Sequence, residues 1–581
     1  MLSPLKTLLQ YAARHKTRIA VGLTCVLAAN VLKAIGPVIV QRIVDSVTQH
    51  LTTPALARYT GLIIAIALLL GVFLVLEEWT LFGLGRCVEH DLRSSFYESL
   101  QKLPPEFYHL NRTGDLMARA TNDVSAAAAG TGHSLIYLVN TIFALVVFLP
   151  LMARLSGKLT AITFVPLFLV ICTTLVLKPL MKASSRKLQD HFGTLSNRMQ
   201  EAILGLRTIL AFTQEESEIE KFRQINGQYT RQTMRNIFVA WLMYPLLQFL
   251  IGFAYVGVLW YGGGLVSKGQ LSPGQFLQFI LYIGYLWWPM HELGSAINIF
   301  QRATAAMTRI CSVMYATPAI CDSSDAVRMP EIKGDIEFQD LTVTYAGAAQ
   351  PALEQISVHI QSGETVALAG PVGSGKSTFM NMIPRLFDAH SGQLLLDGHP
   401  VRKLPLDQLR SCIGYVAQES FLFNGSIAAN IAFGKETATR EEVEKAAAQA
   451  GIADEIAAFP QGYETMVGEQ GKLLSGGQRQ RISIARALIR DPKVLLLDNA
   501  FSAVDAETEE RILKHLREFM HGRTCVISSH RLSTLRTADK IIVLEKGRAA
   551  EQGTHLALME RRGIYERIYR EQLLEDEVIA S

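Results

Sequence analysis

The sequence predicts an all-α membrane domain of six spanning helices with long cytoplasmic helical extensions, followed by an α/β domain. Three observations predict it. Apolar stretches long enough to cross a bilayer recur up to about Ala305 and then stop. Between them lie two polar stretches of roughly 50 residues each with helical periodicity and few breakers. Beyond Glu331 the texture changes to short β-rich runs alternating with helical ones, the pattern of an α/β fold. A hydrophobic content of 49% over 581 residues and a mean hydropathy of +0.21 are too high for a wholly soluble chain and too long for one ordinary domain.

The spans are placed at 19–45, 57–85, 134–155, 159–180, 237–265 and 272–305, since about 20 residues of helix cover a hydrocarbon core of ~30 Å. The first follows Lys6, Arg14, Lys16 and Arg18 without a small-residue cleavage pattern, so it is read as retained. An even number of crossings returns both termini to one side. The segments 86–133 and 181–236 are rich in Lys and Arg, whereas the short opposite loops hold only Arg58, Arg154, Lys158 and Lys268. That bias puts both termini and the α/β half in the cytoplasm. Each polar stretch contains a point where the chain can double back, at Asn111–Asp115 and near Leu206–Glu215, giving two helical hairpins.

The membrane domain is taken as 1–310, a linker with Pro318, Ser323, Ser324, Asp325 and Pro330 as 311–332, the α/β domain as 333–575 and a tail as 576–581. Strands are expected at 336–345, 356–360, 365–369, 393–396, 413–417, 494–498, 524–528 and 540–544. The net charge of +4 is small for this length and is explained by membrane orientation, so nucleic acid is not implied. None of the seven cysteines has CxxC or metal-ligand spacing, and inert reduced thiols are expected.

The first motif that carries chemistry is Gly370-Pro371-Val372-Gly373-Ser374-Gly375-Lys376-Ser377-Thr378, which follows the run Thr365–Ala369. Its glycines let backbone N–H groups approach phosphate oxygens, Lys376 neutralises the β- and γ-phosphates, and Ser377 supplies a magnesium ligand. ATP with Mg2+ is the expected ligand. The apolar run ending in Asp498 delivers a second group to the magnesium, and the next side chain, Asn499, faces the water that attacks ATP. An amide can hydrogen-bond that water but cannot take its proton.

About 100 residues after the P-loop comes Leu474-Ser475-Gly476-Gly477-Gln478, before an amphipathic helical run. With the P-loop and Asp498 in this order, the α/β half resembles an ATP-binding cassette. Fused to six upstream spans, the chain resembles an ABC half-transporter of the exporter type, similar to bacterial heterodimeric multidrug and lipid exporters. The resemblance implies roles for further residues. Tyr345 stacks on adenine, Gln418 contacts magnesium and senses the γ-phosphate, Asp505 lies on the loop that crosses between cassettes, and His530 is the switch histidine. It also implies that two cassettes close head to tail, so that Leu474–Gln478 of one chain meet ATP on the P-loop of another.

At position 499 the family usually carries Glu. An intact signature beside Asn499 therefore suggests a subunit that binds ATP with slow turnover at its own P-loop and completes a competent site on a second, different half-transporter. Retention of His530 fits a second reading, a homodimer carrying an engineered Glu- or Asp-to-Asn change. An ATP-gated regulatory or channel-like protein is a third. Six fused spans disfavour a soluble cassette ATPase of DNA repair or translation, and the short leader leaves no room for an N-terminal protease domain.

The resemblance further implies residence in the bacterial inner membrane as a multi-pass protein, contact with membrane lipid, and ATP-driven alternating access transmitted through turns near Gly114 and Ala211. Small amphiphilic molecules are the expected cargo. Ionisable residues within spans are functional candidates: Lys33, Glu77, Glu78, His291 and Glu292, together with Trp287 and Trp288. An acidic pair among aromatics would suit a cationic, apolar cargo.

Overall fold

The computed structural model describes residues 4–47, 53–502, 506–529 and 532–580. The chain separates into two compact units, one of 1–101 with 113–316 and one of 102–112 with 317–581.

The first unit is built of helices joined by short turns among its described residues. Lys16–Val47 runs unbroken past Pro37, and Thr53–Glu77 continues through a π turn at Glu78–Phe82 into Gly83–Gln101. His133–Leu155, Gly157–Leu204, Glu215–Gly257 and Pro273–Met314 complete the set of long helices. Lys16–Val47, Thr53–Gln101, Thr113–Leu155 and Gln248–Ser267 are long and apolar enough to cross a membrane. The expected fourth and sixth spans lie inside Gly157–Leu204 and Pro273–Met314 but do not join that group among the described residues. In the latter, Gln275, Gln278 and Glu292 dilute the apolar run.

What this unit buries is informative. Along Thr53–Glu77 the only buried residue is Glu77, while Leu68, Leu69, Val72 and Val75 lie exposed. Leucines outside and an acid inside is the order expected against hydrocarbon, not water. The core gathers Ala144, Phe148, Met152, Phe279, Tyr282 and Leu286, and the Tyr282 hydroxyl donates to Ala34 O at 3.1 Å. Asp45 accepts from Ser272 Oγ (2.9 Å) and Gly274 N (2.8 Å), fixing the start of Pro273–Met314. A side chain at 274 would strike Gln41 O at 2.3 Å. The chain doubles back through 102–112, with the short helix Pro105–Leu110, and again through Gly205–Gln214, with Leu206–Ala211.

The second unit holds two sheets. Strands β1 (Ile336–Val343), β2 (Leu353–Ile360), β4 (Ser391–Leu396) and β5 (His399–Pro400) pair antiparallel in the order β2-β1-β4-β5. Strands β3 (Thr365–Ala369), β6 (Ile413–Val416), β7 (Val494–Asp498), β8 (Thr524–Ser528), β9 (Lys540–Glu545) and β10 (Arg548–Gly553) form the second sheet in the order β10-β9-β3-β8-β7-β6. It is parallel except for the β9–β10 hairpin. Strands β7 and β8 are buried along their whole length, as expected for strands covered on both faces. All eight expected strands are present. The two unforeseen ones, β5 and β10, carry His-Pro and Arg-Ala-Ala-Glu-Gln-Gly, which have no β-branched residue to announce them. The seven cysteines are unpaired, and burial pushes Cys412 up to about 11 and Cys525 up to about 12, so both are protonated thiols.

Candidate functional site

Strand β3 lies between β8 and β9, and the loop leaving its C-terminal end is 370–375. Gly370, Gly373 and Gly375 have φ of +149°, +79° and +103°, conformations that only glycine adopts without strain. At Gly370 a Cβ would lie 2.2 Å from Leu544 O, and at Gly375 2.7 Å from Ala352 O. The loop thus brings its own backbone to the surface of a cleft of about 330 Å³ lined by Tyr345, 372–378, Gln418, Asp498, Asn499 and Ser528.

Within the cleft Lys376 folds over its own loop, donating to Gly370 O (2.8 Å) and Pro371 O (2.9 Å). Burial holds its ammonium below the ordinary lysine range, and the Asp498 carboxylate partly offsets this. A desolvated cation aimed at loop carbonyls is poised to exchange them for phosphate oxygens. The Ser374 hydroxyl is buried without a hydrogen-bond partner, so the loop holds polar capacity that the protein itself leaves unused. Tyr345 stands at the side of the cleft, its hydroxyl 3.0 Å from Thr378 Oγ1 and its ring edge-on to Phe387.

Asp498 ends β7 at 2% exposure. Asn499 follows with φ +49°, a left-handed turn that asparagine tolerates better than most residues, and its N–H donates to Ser528 O at 3.0 Å. This turn sends the amide into the cleft rather than along the strand. A nucleoside triphosphate with Mg2+ fits this set: backbone N–H groups and Lys376 for phosphates, Ser377, Asp498 and Gln418 for the ion. The ion would supply charge neutralisation between the β- and γ-phosphates.

The signature segment is built differently. Ser475 caps Gly476–Leu488 in a reciprocal box with Gln478: the Ser475 Oγ accepts from Gln478 N (3.2 Å) and the Gln478 Oε1 from Ser475 N (3.0 Å). The Gln478 Nε2 donates to Glu455 at 3.1 Å, and Arg481, only 6% exposed, pairs with the same carboxylate at 2.6 Å. Burial raises the Glu455 pKa, but hydrogen bonds from Arg481 and Gln478 outweigh it and hold the carboxyl below the usual range. Leu474 is buried in the core. Of the five signature residues expected to meet a partner's ATP, Leu474 and Gln478 therefore have their side chains committed within the chain. The Ser475 hydroxyl and the N–H groups of Gly476 and Gly477 are what this segment can offer outward. Gln480 donates to Ser502 Oγ at 2.8 Å, tying the same helix to the loop after Asn499. A second cleft, of about 510 Å³, runs between Gln418–Phe421 and this helix, so Gln418 borders both.

Sequence reasoning passed over Glu455 and Arg481 because their pairing joins separate helices. Asp505 and His530 lie outside the described residues. In the helical unit Lys33, Glu77, Glu78, Trp288 and Glu292 come together, whereas Trp287 packs toward Val170 and Ile251. The His291 side chain lies outside the described residues.

Comparison with known proteins follows the same division. Residues 19–290 match the ABC transporter transmembrane region and 353–502 the ABC transporter domain. A probable multidrug resistance ABC transporter ATP-binding/permease protein of Bacillus subtilis is 36% identical, over 99% of this chain and 98% of its own. The ATP-dependent lipid A-core flippase of Syntrophus aciditrophicus is 35% identical, over 99% and 95%. The multidrug resistance-like ATP-binding protein MdlA of Escherichia coli is 37% identical, over 96% and 94%. Among solved structures, a bacterial Atm1-family ABC exporter with ATP bound superposes with a TM-score of 0.82 at 28% identity, covering 96% of this chain and 98% of that one.

Proposed function

The chain belongs to the ABC transporter family, with an exporter-type transmembrane region fused to its cassette, and from that premise we propose that it is the hydrolysis-impaired subunit of a heterodimeric exporter. It moves small amphiphilic or hydrophobic molecules across the bacterial inner membrane, with its termini and cassette in the cytoplasm. A multidrug resistance protein and a lipid A-core flippase among its relatives support that cargo class.

The observation that carries the reading is the contrast within one cassette. Asn499 stands in the nucleotide cleft where a carboxylate would orient and deprotonate water, while Ser475, Gly476 and Gly477 are held ready at a braced helix start. Phosphate-binding parts are complete, so ATP binds and favours closure. Without a base at 499, turnover there is slow. The competent site is then the one that pairs this signature segment with the P-loop of the other subunit, and hydrolysis there resets the transporter. ATP drives the change only through its preference for the closed state.

The test is ATPase activity of the purified chain alone and after co-purification with a second half-transporter that has Glu at the equivalent of 499. Turnover confined to the mixed complex supports the heterodimer. Brisk turnover by the lone chain overturns it.

A further inference from the structure

Strand β6 delivers Gln418 to the nucleotide cleft, but the sheet alone does not aim it. Among the described residues β7 is the one strand neighbour of β6, and their pairing runs from Ile413 to Val416. Gln418 lies two residues beyond the last pair, where the chain has left the ladder and borders both clefts. A side chain that enters a site from such a position holds one geometry only with support from outside its own strand.

Tyr415 supplies that support. Its hydroxyl donates to Asn381 Oδ1 at 2.8 Å, joining β6 to the helix Lys376–Met382 that follows the P-loop. Burial, with the Asp498 carboxylate adding to it, pushes the phenol above the usual tyrosine range, so the hydroxyl keeps its proton and remains a donor. Asn381 stands four residues after Ser377, which places the two side chains on one face of the helix, a turn apart. Gln418 stands three residues after Tyr415 on the facing strand. The bond is therefore a rung one helical turn away from the level at which Ser377 and Gln418 are expected to meet the ion. Its far end is firm: the Asn381 carbonyl accepts from Leu386 N at 3.1 Å, and the Tyr345 hydroxyl meets the same helix at Thr378 Oγ1, 3.0 Å away. A strand end anchored on one side by its ladder becomes anchored on two.

We propose that Tyr415, through its bond to Asn381, is a positioning residue that holds Gln418 at the reach a magnesium-bound nucleotide requires. The inference rests on the reading of this cleft as a magnesium and nucleotide site, and it is independent of the heterodimer.

The test uses the full chain in lipid nanodiscs and trinitrophenyl-ATP, with dissociation constants measured in EDTA and at saturating Mg2+. Their ratio is the gain from the ion, a coupling between metal and nucleotide. Tyr415→Phe keeps the ring and removes the hydroxyl. It is expected to leave the EDTA value within about twofold of the parent and to reduce the gain roughly two- to tenfold, the worth of one neutral hydrogen bond. Asn381→Leu should do the same, and the two together no more than either alone. Gln418→Ala should reduce the gain by itself and leave Tyr415→Phe nothing further to remove. An unchanged gain, equal weakening in EDTA and in Mg2+, or a Tyr415→Phe effect that persists beside Gln418→Ala overturns the proposal. A parent chain whose affinity ignores Mg2+ overturns the magnesium reading of the cleft and the proposal with it, whereas brisk turnover by the lone chain counts against the heterodimer alone.

Discussion

The nucleotide cleft and the signature segment border a common residue, Gln418, yet they are finished in opposite ways. The cleft holds unspent groups: Lys376 turned onto loop carbonyls, Ser374 without a partner, an amide where chemistry wants a base. The signature helix spends nearly everything internally, through its capping box and the Glu455 bracket. The difference teaches that binding and donating place different demands on one domain. A receiver must keep polar groups available to exchange for phosphate. A donor that acts on a neighbouring subunit must be rigid before that subunit arrives, because ordering it at closure would subtract from the free energy of closure.

The largest effect should come from altering the receiver. On the proposed reading Asn499→Glu supplies the base that the site lacks, and restoring a positioned general base is worth about 10²–10⁴ in rate. ATPase measured in the mixed complex, with the other subunit's own P-loop lysine replaced so that its site is silent, should rise by about two orders of magnitude or more. Glutamate is less at ease than asparagine at the left-handed turn of 499, a strain of roughly 1 kcal/mol that lowers stability without removing the gain. If activity stays flat, the site lacks more than a base, and the contrast between the two regions has been drawn in the wrong place.

The donor should respond more modestly. Glu455→Ala leaves the Arg481 guanidinium, 6% exposed, without its carboxylate. Breaking a fully buried pair costs about 3–5 kcal/mol, but the Glu455 side chain is 40% exposed, and solvent reduces the expected cost to roughly 1–2 kcal/mol. Glu455→Gln keeps an acceptor for Arg481 and Gln478 and should lose less. If the signature meets a partner's ATP on closure, as proposed, kcat of the competent site should fall several-fold in Glu455→Ala and recover in Glu455→Gln. Trinitrophenyl-ATP binding to this chain's own P-loop should not change in either. Loss of nucleotide binding by Glu455→Ala would show that the brace serves the whole cassette and is not specific to the donor side.

Much of this was legible in the sequence because the chemistry of the cleft is contiguous. The P-loop, Asp498-Asn499 and Leu474–Gln478 are local strings whose spacing carries their meaning, and the expected strands around them are present. What lay hidden depends on pairs brought together by packing. Glu455 lies 23 residues before Gln478 on a separate short helix, and no periodicity marks it. Asn30 and Asn140 sit inside apolar runs, where a polar residue reads as noise until the two amides meet. The π turns at Glu78–Phe82, Arg119–Asp123 and Val258–Gly262 leave no compositional trace. Span edges are blurred for a physical reason too: Gly157–Leu204 runs as a single helix from apolar into polar sequence and Glu215–Gly257 from polar into apolar, so nothing in the backbone marks where an apolar stretch begins or ends.

The smallest effect, and the finest test of the comparison, is in pH. Hydrogen bonds hold the folded Glu455 carboxyl below its ordinary value of 4.5, so the folded protein takes up that proton less readily than the unfolded chain. Its contribution is complete above about 4.5 and fades as pH falls through the lower folded value. The difference in melting temperature between the parent chain and Glu455→Gln should thus be constant from pH 8 to about 5 and shrink below that. The receiver has its liability at the other end of the scale. Burial lowers the Lys376 pKa, so affinity for trinitrophenyl-ATP should begin to fall at a lower pH than an ordinary lysine, at 10.5, would dictate. A melting difference that instead changes between pH 6 and 8 would point to a histidine and not to Glu455. Nucleotide affinity that weakens on the acid side would mean that carboxylates, and not the desolvated ammonium, govern the cleft. The separation of the two limbs follows from construction: a carboxylate held by hydrogen-bond donors is vulnerable to protons, a desolvated ammonium to their loss.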